Sequence, residues 1–297
     1  MLRITYGQPE HWQDIKQVIQ GIDPHDYVLD EWPHWLEHPE SGMTLVALWE
    51  DKAVATCHIS YLDDETAWFH GMRVDVHYQG RGIAGVCNRF AVEALRSKGF
   101  RFARAAIDSD NVNSQKAATR SGFRHVYTYE YLTPARHAPV HPTENCWREV
   151  PLTLSNAQEY VDTISPQLTA QNRMLLLCFS LSPTTPQNVL EDMQMGSDNA
   201  FWGFQQDNFK AWAGVFLEDP ADPTLVMSPV CNDVRQWHIA LEAFEHQMAQ
   251  MQRRFGMWIT PDDPLYRLTL DLGYVIEPTS GYQIWERDLT NDSLEHS

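Results

Sequence analysis

The sequence predicts an α/β (α+β) protein in which mixed sheets are flanked by helices, built as two similar halves. Three observations carry that prediction. Short β-rich runs alternate with amphipathic helical stretches along the chain. Four prolines (Pro134, Pro139, Pro142 and Pro151) fall just past Leu132, where missing N–H donors and extended preceding residues mark a linker. On both sides of it the order is strand, long helix, strand, short helix, glycine–aromatic pair, strand, which reads as an internal duplication. The expected domains are 1–132, a linker at 133–150, and a degenerate second copy at 151–297. The length of 297 residues agrees with two domains at about 150 each.

In chain order, Pro9 to Ile19 has helical spacing, and Tyr27 to Leu36 is compatible with a helix or an ordered loop. Thr44 to Trp49 and Val54 to Tyr61 read as paired strands around the turn Glu50-Asp51-Lys52. Ala67 to Val76 is a third strand. The helix after it carries Ile83, Val86, Phe90, Ala94 and Leu95 on one face and stops at Gly99. Phe102 to Ile107 is a strand, Ser114 to Ser121 a short helix closed by Gly122, and Arg124 to Tyr131 a strand. In the second half, strands are expected at Ala211 to Leu217, Leu225 to Val230, Met257 to Thr260 and Tyr282 to Arg287. Helices are expected at Asp233 to Phe255 and Pro264 to Leu272. The Trp237, Leu241, Phe244, Met248, Met251 and Phe255 stripe on the long helix is read as a core face.

Composition narrows the function. Hydrophobic residues make up 43%, enough for a sizeable core, which excludes a wholly disordered chain. A net charge of −18 disfavours nucleic acid and anionic membranes as partners and favours a cationic substrate. Five cysteines lie far apart without C-x-x-C spacing, which speaks against a zinc site, and their odd number speaks against a disulfide framework. His238 and His246 on the second half's long helix read as surface groups, so no metal constellation is expected. The start lacks a basic segment followed by an apolar one, and Met174 to Phe179 is too short to span a bilayer. The expected location is the cytoplasm.

The segment Val74-Asp75-Val76-His77-Tyr78-Gln79-Gly80-Arg81-Gly82-Ile83-Ala84-Gly85 carries the chemistry. A strand enters a loop with glycines at 80 and 82, and a helix begins at once. Its first N–H groups lack intrahelical partners and sit at the positive end of the dipole, which suits a phosphate or pyrophosphate. An isolated Gly-x-Gly equally serves a turn that needs glycine dihedrals. The surrounding charge tilts the balance. From Arg73 to Arg124, ten basic residues meet four acidic ones, a net +6; the remainder sets twelve against thirty-six, a net −24. No G-x-x-x-x-G-K-[ST] run exists. Gly80, Gly82 and Gly85 have dinucleotide-fingerprint spacing but follow hairpin-like strands rather than opening a βαβ unit.

Gln79-Gly80-Arg81-Gly82-Ile83-Ala84, followed by Asn111, Ser114 and Gly122-Phe123, resembles the motifs of the GCN5-related N-acetyltransferases (GNATs) over residues 3–132. The resemblance implies the GNAT fold in both halves and acetyl-CoA as cosubstrate. It implies that Val74 and Val76 bond the pantetheine arm and acetyl carbonyl through their main chain. Gln79, Gly80, Arg81, Gly82, Ile83 and Ala84 would hold the pyrophosphate, and Asn111 and Ser114 would line the thioester end. Tyr27, Trp35-Leu36, Pro39, Gly71-Met72-Arg73-Val74 and Arg89-Phe90 are similar to the histidine N-acetyltransferase type, which implies the α-amine of a free amino acid as acceptor.

Direct transfer needs a neutral amine, a donor for the carbonyl's developing charge and a proton for the thiolate. The expected donor is the Val74 N–H, freed if the strand bulges. The expected base is His70, with a near-normal pKa, facing the same side as Met72 and Val74; Glu65 is a weaker candidate. The Tyr that the family commonly uses as general acid is replaced by Ala118, which leaves Ser114 or Tyr78. Tyr27, Trp32 and Trp35 are candidate substrate residues or core aromatics. The second half has no glycine between Leu225 and Arg254, so no phosphate cradle is expected there. Two alternatives stand beside a small-molecule amine acetyltransferase. One is an acyl-CoA-binding sensor or scaffold without turnover. The other is an aminoacyl-tRNA-dependent transferase, which the charge disfavours.

Overall fold

A computed structural model describes the chain except for residues 136–145, 169–174, 178–179, 183–184, 195–198, 218–223, 278–280 and 291–297. The described residues divide into two compact units, Met1–Tyr127 with Gln283–Ser297, and Thr128–Tyr282.

The first unit runs β1 (Leu2–Tyr6), α1 (Trp12–Gln20), α2 (Val28–Glu37), β2 (Gly42–Trp49), β3 (Lys52–Tyr61), β4 (Thr66–Val74), α3 (Ile83–Lys98), β5 (Phe102–Asp108), α4 (Val112–Arg120) and the start of β6 (Arg124–Pro134). Strands β1 to β4 pair antiparallel in sequence order, and β4 pairs parallel with β5. Glu50 and Asp51, both at positive φ, form the two-residue β2–β3 turn. Helix α3 crosses from β4 to β5 and buries Ile83, Cys87, Ala91, Val92 and Leu95 against one sheet face. Gly99 closes it in the left-handed conformation that glycine adopts without penalty. On the other face α1 and α2 bury Ile15, Ile19, Val28, Trp32 and Trp35.

The second unit contains β7 (Arg148–Val150), α5 (Leu154–Leu168), β8 (Leu175–Leu177), β9 (Ser180–Ser182), α6 (Pro186–Gln194), β10 (Ala200–Gln206), β11 (Phe209–Leu217), β12 (Leu225–Cys231), α7 (Trp237–Gln250), β13 (Phe255–Ile259), α8 (Pro264–Asp271) and β14 (Tyr274–Ile276). Its strands follow the order β7-β10-β11-β12-β13-β6, with only β12–β13 parallel. That repeats the first unit: an antiparallel run, then one parallel step spanned by a long buried helix. The Trp237, Leu241, Phe244, Met248 face of α7 is buried, but the helix ends at Gln250: Met251 is exposed and Phe255 begins β13, so the expected stripe is shorter.

The units differ from the proline-defined boundary in two places. The break falls inside β6, whose later residues pair with β13. The last strand, β15 (Tyr282–Asp288), lies beside β5, and Trp285 and Leu289 enter the first unit's core. Arg104 binds Glu286 at 2.9 Å there, and Arg96 donates to the Leu289 carbonyl at 3.0 Å. Short-range signals cannot report this exchange. The strand that follows α4 and the strand that ends the chain each complete the sheet of the other half. Most of the linker lies outside the described residues.

Candidate active site

The site begins with a break in β4. His70 faces His58 across β3, but Arg73 faces Thr56, so β4 carries one extra residue between these pairs. Gly71, at φ +63°, is the bulge. The bulge resets the alternation of side chains. Phe69, Met72 and Val74 pack on the α3 side, whereas His70 and Arg73 face α2. His70 therefore does not share a face with Met72 and Val74, as strict period-two alternation predicts.

Beyond the bulge the β4–β5 ladder stops. Parallel pairing covers Thr66 to Phe69 against Phe102 to Ala105 and goes no further. The Asp75 N–H donates to the Val54 carbonyl at 2.9 Å, so the preceding pair, Val74 with Ala55, is of the non-bonded kind. The main-chain N–H and C=O of Val74 thus turn away from β3, toward the opening beside β5. Gln79 Nε2 donates to the Val74 carbonyl at 3.1 Å and ties the following loop to the strand. Val76 lies exposed in that loop.

Gly80 (φ +74°) and Gly82 (φ +77°) both adopt left-handed conformations, and a Cβ at either would meet nothing within 4 Å. Gly82 is the N-cap of α3 and supplies no side chain to it. The first backbone bond of the helix is from Val86 N–H to Gly82 C=O. The seven consecutive N–H groups from Gln79 to Gly85 have no acceptor among the described residues. A run of unpaired amides at a helix start, with open space before them, is an anion cradle. Arg81 is held between Trp49 and Tyr78 at 5.2 and 5.0 Å from the ring centroids. Arg89, one turn into the helix, places a guanidinium nitrogen 3.6 Å from where a Gly85 Cβ would be. The cradle therefore gains a second cation, at a residue that motif spacing alone did not assign to the site.

The residues expected at the thioester end have a local task. The Asn111 side chain accepts the Ser114 N–H at 3.1 Å and caps α4. Their remaining polar groups, Asn111 Nδ2 and Ser114 Oγ, stay available. Ala118 is buried in the first unit's core.

On the α2 side a polar and aromatic cluster surrounds His70. Its Nε2 lies 2.8 Å from Ser60 Oγ, and its ring meets Trp35 and His58 edge-on. Trp35 stacks on His58 with centroids 4.4 Å apart, and His58 Nδ1 lies 2.9 Å from Thr44 Oγ1. Burial, and then the nearby Arg73, push the pKa of His70 down to about 4. Burial, and then His70, push His58 down to about 3. The expected near-normal pKa of His70 is thereby corrected: the imidazole is neutral at pH 7 and a weak proton acceptor. Tyr27, about half exposed, meets Trp35 edge-on and the Arg73 guanidinium at 5.7 Å.

Two expected residues fall elsewhere. Trp32 is 1% exposed, stacks on Trp12 and donates to Thr56 Oγ1 at 2.9 Å. Burying such an indole contributes about 4–6 kcal/mol, which identifies a core residue rather than a ligand contact. Glu65 precedes the first residue of β4, roughly 30 Å of strand from Val74 at about 3.3 Å per residue. It is no candidate base.

In the second unit, the turn that corresponds by topology, from β12 into α7, opens with Asp233. Its carboxylate accepts from the Arg235 N–H at 3.1 Å and the Arg235 guanidinium at 2.8 Å. These hydrogen bonds hold its pKa far below the usual range. Here the chain supplies its own anion where the first unit leaves amides open.

Residues 10–123 match the model of the acetyltransferase (GNAT) family. Over that segment, less than half of the chain, the sequence is similar to the GNAT acetyltransferases. No curated protein sequence matches the chain, but its fold recurs among solved structures. A tandem GNAT protein from the clavulanic acid biosynthesis pathway aligns with TM-score 0.64 at 12% identity, over 99% of this chain and 100% of its own. A GCN5-related N-acetyltransferase from Kribbella flavida gives 0.62 at 14% identity, covering 97% of this chain and 71% of its own. One from Anabaena variabilis gives 0.60 at 12%, covering 97% and 73%. These likenesses show the fold: nearly the whole chain shares its architecture with GNAT structures, one of them a tandem protein. Among the described residues no helix is long and apolar enough to cross a membrane.

Proposed function

We propose that the chain transfers an acetyl group from acetyl-CoA to the primary amine of a small molecule. The acceptor we favour is the α-amine of a free amino acid with a flat side chain, histidine among them. The observation that carries this reading is the run of seven unpaired N–H groups from Gln79 to Gly85, placed where β4 and β5 part. Gly80 and Gly82 fit a diphosphate closely approached by backbone, and Arg81 and Arg89 add positive charge beside it. Acetyl-CoA would supply an activated acyl carbon and a thiolate leaving group.

The chain's own residues have these tasks. The Val74 N–H, turned into the opening, holds the carbonyl oxygen as its charge grows. The α-amine of a free amino acid, beside its own carboxylate, is almost wholly protonated at pH 7, so it must lose a proton before it attacks. Neutral His70, bonded to Ser60, orients the amine, and the amine's surplus proton leaves directly to water. Tyr27 and Trp35 form an aromatic wall beside it, suited to a planar side chain. The acidic chain as a whole attracts such a cation. No tyrosine stands at position 118, so water protonates the thiolate, a modest task for a group of pKa about 8.5.

A second reading, acyl-CoA binding without turnover, draws on that missing tyrosine and on the low basicity of His70. One experiment separates them: the protein with acetyl-CoA and a panel of amino acids and polyamines, followed by free thiol release. Release that depends on one class of amine supports transfer. Tight CoA binding with no amine-dependent thiol favours the sensor.

A further inference from the structure

We propose that His34, Glu37 and His38, on the last turns of α2, form a surface site for one divalent transition-metal ion of the zinc type. The ligand atoms offered by these three side chains lie within 4.8 Å of one another. Residues three and four apart share a helix face, and the two imidazoles sit with centroids 4.4 Å apart. All three are exposed, so an ion reaches them from solvent and keeps its remaining positions for water.

The chemistry of the set selects the ion. Two imidazoles and one carboxylate suit Zn²⁺, Ni²⁺, Co²⁺ or Cu²⁺ and are poor partners for Mg²⁺ or Ca²⁺, which take oxygen ligands. Glu40 lies 3.2 Å from His38 Nδ1. A carboxylate there fixes the ring and leaves the lone pair on Nε2, the outer-shell arrangement that strengthens a metal-binding histidine. The net charge of −18 raises the local concentration of cations.

The position gives such an ion a structural consequence. α2 ends at His38 with φ −122° and ψ 60°, so no left-handed glycine closes it. An ion bridging His34 to His38 joins the last turn instead. That turn carries Trp35, whose ring lies on His58 and His70. The sequence expectation of no metal constellation rested on the cysteines and on the second half's histidines; the spacing on α2 adds a different kind of site.

The test is calorimetry of the demetallated full-length protein with Zn²⁺, repeated with Co²⁺ while visible d–d bands are recorded. The expected result is one ion per chain, with Co²⁺ bands that Zn²⁺ displaces. His34→Ala or His38→Ala should weaken binding roughly tenfold or more, and the double variant should abolish it. His25→Ala, outside the cluster, should leave it unchanged. Circular dichroism confirms that the double variant keeps its helices. Failure of the wild type to bind either ion overturns the proposal, as does equal stoichiometry and affinity in the folded double variant. If the double variant loses its helices, Glu37→Gln decides: weakened binding supports the site, and unchanged binding overturns it.

Discussion

Arg73 holds Asp26 with two guanidinium nitrogens, Nε on one carboxylate oxygen and Nη2 on the other at 3.0 Å. The pair joins β4, two residues past its bulge, to the loop before α2, and Asp26 is 7% exposed. The same carboxylate accepts the Val28 N–H at 3.1 Å, so it also starts the helix that carries Trp35. Arg73→Ala would leave a buried carboxylate without its cation. We expect a loss of about 2–3 kcal/mol in urea-unfolding stability, with Arg73→Lys intermediate because an ammonium cannot make the forked contact. Equal stability of Arg73→Ala and wild type would mean that solvent already screens the pair.

Gly71 joins the same two elements from the backbone side. At φ +63° it lies in the left-handed region, and an added Cβ would sit 2.7 Å from the Trp35 ring. Gly71→Ala should cost about 2 kcal/mol, from roughly 1–2 for the conformation plus displacement of the indole. Thermal unfolding measures the loss, and a shifted tryptophan emission reports the moved ring. A stability change without any change in emission would place the strain in the strand alone.

The two buried imidazoles set the direction of pH dependence. Their folded pKa values, about 3 for His58 and about 4 for His70, lie below the ordinary 6.5 of the unfolded chain. Between those values the unfolded chain binds more protons, so stability is fully present above about pH 6.5 and falls as pH drops toward 4. Each histidine contributes at most about 1.4 kcal/mol per pH unit. Urea midpoints of wild type should therefore decline more steeply from pH 6.5 to 4.5 than those of His58→Gln. Parallel curves would show that His58 titrates normally.

The same burial bears on catalysis. A general base usually contributes 10²–10⁴-fold, and a neutral imidazole of such low basicity cannot. His70→Gln should lower kcat by less than about tenfold and leave the acid limb of the pH–rate profile where the amine's own ionisation puts it. A loss near a thousandfold, with the acid limb moved, would restore His70 as the base.

The first unit's anion cradle was legible in the sequence because it is local. Glycines at 80 and 82, an amphipathic helix from Ile83 and the basic residues around them lie within a few turns of one another. The amine side was not. The contact of His58 with His70 depends on strand register, and the face that His70 presents depends on one extra residue at Gly71. Arg73 and Asp26 are 47 residues apart and meet only through the fold. Trp32 and Trp35 look alike in sequence and both are buried, but only Trp35 abuts the bulge. The placement of β15 beside β5 was least accessible, since its partners stand some 180 residues earlier.

Among the described residues one helix start leaves its amides open, and the expected stoichiometry of CoA follows from how each unit starts its long helix. In the first unit Gly82 exposes amides; Gly82→Glu should bring a carboxylate to those same amides and to the dipole's positive end. Loss of about 2 kcal/mol of anion attraction corresponds to roughly thirtyfold weaker CoA binding, and the left-handed conformation at φ +77° adds roughly 1–2 kcal/mol of strain to the fold. In the second unit Asp233 already occupies the corresponding position, bonded to Arg235 and Gln236. A negative side chain held there repels a diphosphate and satisfies the donors it would need. Calorimetry should therefore give one CoA per chain in wild type. Asp233→Ala should keep that value of one while losing about 1 kcal/mol of stability as the cap disappears. Two equivalents in the wild type would show that the second unit binds the nucleotide by contacts other than a helix start.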